Sequence, residues 1–172
     1  MLAHCFAPQP SHRKKETKSE KKLKQKWSRG SLFKLPLQDG SYVIGLVLKI
    51  AQELYSFVGA FYNCKTNPDM DVSISDIDLH NPDIVQFVTR NPLDLGIWPV
   101  IKDGITNIKV EDFLDFAKFK SNGFINVTIF SAGIIANVFN ILHHLKTNDF
   151  AKAGYIESLL YKNSKGRIDE YD

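Results

Sequence analysis

What this sequence has little of already narrows what it can do. Its 172 residues include two cysteines, two tryptophans and two methionines. Cys5 lies in a polar opening segment and Cys64 ends an apolar run. Two cysteines so placed form no disulfide framework and read as free thiols in a reducing compartment. No glycine-rich phosphate loop, nucleophile elbow or Cys-x-x-Cys pair occurs. Cys64 has no histidine near it to act as base, which argues against a nucleophile. His143 and His144 are adjacent, so on a helix they point about 100° apart and do not chelate one ion from one face. The opening MLAHCFA has no basic region ahead of a long apolar stretch, so no secretory signal is expected and the location reads as cytoplasmic. One charge-free stretch, Gly123–Leu145, is long enough to span a bilayer. Asn126, Asn137, Asn140 and the turn signal Ser131-Ala132-Gly133 break it up, so it reads as a buried strand and then a helix, with no membrane partner. Catalytic, cofactor-binding and metal-binding residues are therefore all read as none, and the chain is not expected to be an enzyme.

What is present divides in two. Residues 1–30 carry nine Lys/Arg against two Glu, a balance of +7; residues 31–172 carry 13 against 17 Asp/Glu, a balance of −4. Residues 1–26 read as a disordered basic tail, too poor in apolar side chains to fold alone. Residues 27–164 read as a single α+β domain, and 165–172 as a polar tail. Twelve Phe residues supply a sizeable core.

Within the domain, Leu32–Leu37 reads as an edge strand or strand end, because Pro36 donates nothing to a ladder. Gln38–Ser41 is a tight turn around Gly40. Tyr42–Ile50 and Tyr55–Cys64 are strands apolar on both faces and hence covered on both sides. In the first, Tyr42, Ile44, Leu46, Leu48 and Ile50 share a face. Gly45 and Gly59, mid-strand, point to bends or close backbone approaches. Ile84–Thr89 and Phe124–Phe130 read as further strands, and Val110–Phe119 as a short helix or turn. Helical spacing follows at Ile135, Val138, Phe139, Leu142 and Leu145, then at Tyr155, Ile156, Leu159 and Leu160. Trp98 reads as core. The expected fold is a small, strongly bent antiparallel sheet or barrel with two to three helices packed outside.

The polar stretch Asn67–Asp83 is acidic, with Asp69, Asp71, Asp76, Asp78 and Asp83. A calcium loop of the EF-hand kind needs a central Gly and a terminal Glu, and neither is there. The stretch is read instead as a negatively charged binding surface, since loops carry recognition more often than scaffolds do.

Trp27–Leu48 (WSRGSLFKLPLQDGSYVIGLVL), the later FVGAFYN and Gly96–Gly104 (GIWPVIKDG) resemble the immunity protein 26 family of bacterial polymorphic toxin and contact-dependent inhibition systems. The residues that carry the resemblance are Gly30, Phe33, Leu35, Pro36, Leu37, Asp39, Gly40, Tyr42, Gly45 and Val47, and in order and spacing it extends over about 27–162. Ser31 stands where an acidic residue is usual in the family, Leu46 where Arg is common, and the basic tail is not a family feature. Phe33, Pro36, Gly40, Tyr42, Gly45, Gly59 and Trp98 would then define the fold and leave specificity to the surface. The resemblance implies a protein that binds a cognate toxin, encoded by a neighbouring gene, and occludes its active site. A nuclease toxin with a basic groove would suit the acidic body. The alternative is a small nucleic-acid-associated β-barrel with a basic N-terminal arm, and a third is a hydrolase using His80, His143 and His144.

Overall fold

The computed structural model describes residues 24–68, 73–147 and 154–160. Among the described residues six strands form one sheet: β1 (Leu32–Pro36), β2 (Tyr42–Ala51), β3 (Ser56–Thr66), β4 (Ile84–Thr89), β5 (Val100–Lys102) and β6 (Ile129–Phe130). Their order is β5-β1-β2-β3-β4-β6. Every pairing is antiparallel except the two-residue β4–β6 pair, which is parallel. β5 and β6 stand at opposite edges, so the sheet is open. This corrects the expected barrel: closure needs long, evenly tilted edge strands, and these edges are three and two residues long.

The α+β expectation holds; the described residues form four short helices where two to three were expected: α1 (Asn91–Asp94), α2 (Phe116–Ser121), α3 (Ala132–Leu142) and α4 (Tyr155–Leu159). Both sheet faces are covered, as strands apolar on both sides require. Against one face lie α3 and α4, whose Ile135, Val138, Phe139, Ile156 and Leu159 join Phe33, Val43, Val47, Phe57, Phe61 and Trp98. Against the other lie Ile108, Val110 and Phe116, with Phe119 and Phe124, over Tyr42, Ile44, Leu46, Val58, Ala60 and Phe87.

Register explains one departure from strict alternation. Val47 pairs with Gly59 and Lys49 with Val58, so Leu48 is an extra residue. An inserted residue swaps the faces beyond it. Ile50 accordingly packs on the Phe33 face, away from Leu46 and Leu48.

The two mid-strand glycines make room for rings. A Cβ on Gly45 would lie within 3.0 Å of three ring carbons of Phe33, its partner across the β1–β2 ladder. One on Gly59 would come within 2.9 Å of the Phe57 and Phe61 rings. Phe33 stacks on Trp98 with centroids 5.3 Å apart and meets Phe57 and Phe61 edge-on. Pro36 ends β1 on the stretch that β5 does not reach, and Gly40 turns the chain at φ +83°.

One further expectation is corrected and another is resolved into its parts. Phe124–Phe130 shrinks to the strand Ile129–Phe130, because Phe124 and Asn126 adopt positive φ (59° and 64°), which no strand accommodates. Val110–Phe119 divides into a 3₁₀ turn, Val110–Asp112, and the start of α2, which is capped by the Asp115 carboxylate accepting from Lys118 N–H. No helix among the described residues is long and apolar enough to cross a membrane.

Candidate partner-binding surfaces

β3 runs the length of the sheet, about 35 Å for its 11 residues. The acidic stretch leaves its far end at Thr66 and returns into β4 at Ile84. The β2–β3 turn lies at its near end, beside the start of α1. The molecule therefore presents two separate poles.

At the acidic pole, Asp76 and Asp78 are exposed, and Asp78 accepts from His80 N–H at 3.1 Å. Asp83 is different. It is 6% exposed, and its carboxylate accepts from Asn63 N–H at 2.6 Å while its own N–H donates to the Phe61 carbonyl. It holds the end of the loop to β3 and has little surface to offer. The Tyr62 hydroxyl does a similar job by donating to the Leu79 carbonyl, and its burial pushes its pKa up. Asp69 and Asp71 lie outside the described residues. Nearby, Lys65 pairs with Asp39 at 2.6 Å, which together with the Ser41 hydroxyl lowers the Asp39 pKa to about 2.

His143, His144 and Cys64 take structural places. His143 and His144 end α3, and partial burial lowers the His143 pKa. Cys64 is half-buried, and burial raises its pKa. Among the described residues no three His, Cys, Asp or Glu side chains gather as a metal site would require.

Sequence reasoning missed the near pole. There the Arg90 guanidinium makes a two-point contact with Asp94, at 2.7 and 3.1 Å, and lies 5.3 Å from the Trp27 ring centroid. The Trp27 indole N–H donates to the same carboxylate at 2.9 Å. Charge-assisted bonds of this kind hold a guanidinium in one orientation. They raise the Arg90 pKa and lower that of Asp94. These residues, with Lys24, Lys26, Ile50 and Gln52, line a shallow depression of about 480 Å³. Tyr55 flanks it, 78% exposed and in the left-handed region at φ 48°, its carbonyl accepting from Arg90 N–H. Leu95 and Ile97, the next exposed apolar residues along the chain, are 53% and 58% exposed.

Gln25 fastens the root of the N-terminal segment here. Its side-chain amide donates to the Leu93 and Trp98 carbonyls and accepts from Val100 N–H, each at 3.0 Å. Contact with the domain thus includes residues before Trp27. The remainder of the basic tail, 1–23, lies outside the described residues.

The family model described as immunity protein 26 matches residues 28–124, more than half of the chain and the segment from β1 to α2. No curated protein and no solved structure matches.

Proposed function

The chain belongs to the immunity protein 26 family, and on that premise we propose that it neutralises a cognate bacterial toxin by binding it directly and covering its active site. The family match is the observation that carries this reading. Its residues 28–124 take in the five strands β1 to β5, together with the turns that expose the surfaces described above.

We further propose that the toxin is of the nuclease type and meets the acidic pole. The −4 balance of residues 31–172 and the exposed carboxylates of Asp76 and Asp78 support this, since a groove built for a polyanion attracts and is blocked by negative charge. Asp69 and Asp71, which continue the same stretch, belong to the proposed contact, whereas Asp83 serves the fold. A toxin of that kind acts on nucleic acid in the cytoplasm, which is where we place its inhibitor, with the toxin gene beside its own.

The test is co-expression with the product of the adjacent gene. Protection of growth, and recovery of the two proteins as one complex, are expected. A neighbour that is harmless, or that kills equally well in the presence of this chain, would refute the proposal. Deleting residues 1–23 separates it from the nucleic-acid alternative. Protection survives the deletion if the toxin is the partner, whereas salt-dependent binding to nucleic acid would disappear.

A further inference from the structure

The near pole has the makings of a binding surface that the acidic-loop reading does not use. Energetically dominant interface residues are enriched in Trp, Tyr and Arg held rigid before the partner arrives. Trp27 and Arg90 are fixed by one shared carboxylate, Asp94, which takes the Nε hydrogen and an Nη2 hydrogen and leaves Nη1 unused by that contact. Tyr55 is the odd residue. A left-handed turn position is served at less strain by Gly or Asn, and a tyrosine there, 78% exposed, does nothing for the core. Strain kept at an exposed aromatic points to a use outside the fold.

The rim identifies the partner's chemistry. Lys24 and Lys26 stand at the depression, both exposed. A complementary surface is acidic at its edge and apolar at its centre. The exposed aliphatics Leu95 and Ile97 suit a protein better than a phosphate backbone, which offers no apolar side chain to cover them.

We propose that this patch is a second contact for the toxin, taking an acidic surface segment that carries a bulky apolar side chain and lies outside the toxin's basic groove. The inference rests on the immunity reading, but it assigns a different face of the molecule.

The experiment measures affinity of the full chain for the toxin domain encoded by the adjacent gene, with unfolding midpoints measured in parallel. The variants are Tyr55→Asn, Leu95→Ser with Ile97→Ser, and Lys24→Glu with Lys26→Glu. Tyr55→Asn removes the ring while suiting the left-handed turn, so its midpoint stays or rises while affinity falls about tenfold or more. The lysine pair slows association and flattens its salt dependence. If the Tyr55 and Leu95/Ile97 variants protect and bind within about twofold of the parent, the patch is not a contact. If Tyr55→Asn spares the toxin but abolishes binding to single-stranded DNA, the site is a nucleic-acid platform and the proposal is overturned. It is equally overturned if the variant splits a dimer of the parent chain. A parent chain that neither binds nor protects removes the immunity reading and this inference together.

Discussion

Gly45→Ala is a small change with a large expected cost. The added methyl group would sit within 3.0 Å of three carbons of the Phe33 ring, closer than any relaxed contact. That ring has nowhere to go. It is fully buried, stacked on Trp98 at an interplanar angle of 3°, and held edge-on by Phe57 at 6.0 Å and Phe61 at 5.9 Å. Overpacking a rigid site costs about 1–3 kcal/mol, and the crowding of four aromatic rings places this case at the upper end, about 3 kcal/mol. In urea, with a slope of about 2 kcal/mol per molar, the midpoint should fall by about 1.5 M with the slope unchanged. Gly40→Ala serves as control. Nothing lies within 4 Å of its Cβ, and only the positive φ of +83° is penalised, at about 1 kcal/mol. Phe33→Leu should relieve Gly45→Ala, so that the double variant loses less than the two singles combined, by about 1 kcal/mol. A loss below about 0.5 kcal/mol for Gly45→Ala, or strict additivity with Phe33→Leu, would refute the ring-bed account.

Three other outcomes follow from the same geometry. Asp83→Ala should cost about 1–3 kcal/mol in denaturant unfolding by removing the buried acceptor of the Asn63 N–H, whereas Asp76→Ala and Asp78→Ala should stay within about 0.5 kcal/mol; equal costs would mean that the acidic residues are not divided as described. Gln25→Ala removes three hydrogen bonds at the root of the tail and should cost about 1–3 kcal/mol, visible as early proteolysis near that root. Asp39 is more acidic folded than unfolded, so its contribution is present above about pH 4 and is lost as the pH falls toward 2. The parent chain should therefore lose more stability than Asp39→Asn across that window, and parallel curves would rule out the Lys65 pairing as the cause.

The central strands were legible because Tyr42–Ile50 and Tyr55–Cys64 carry apolar residues on both faces, a pattern that only two-sided burial explains. The turn at Gly40 and the α3 stripe were legible for equally local reasons. Closure of the sheet was not, since it depends on edges whose length is set by positive-φ residues such as Phe124 and Asn126. The bulge at Leu48 was hidden because Leu48 and Ile50 are apolar in either register. α1 was hidden because Asn91-Pro92 also suits a turn, whereas Pro sits comfortably in the first turn of a helix. The near-pole patch was out of reach, because Trp27, Tyr55 and Arg90 are scattered in the chain and meet only when β2, β3 and β4 are in register. The acidic loop was visible, but its composition does not separate the buried carboxylate of Asp83 from the exposed ones of Asp76 and Asp78.

The cover over the Phe33 face comes from the end of the chain. α3 and α4 both follow residue 124, where the family match stops. In synthesis β1 to β5 leave the ribosome before Phe139, which closes the aromatic bed. During that interval a hot, sticky surface of Phe33, Phe57 and Phe61 faces the cell. Translation that halts near residue 124 should thus yield an aggregate rather than a smaller folded domain, and a stable fold would be acquired in a single late step of synthesis.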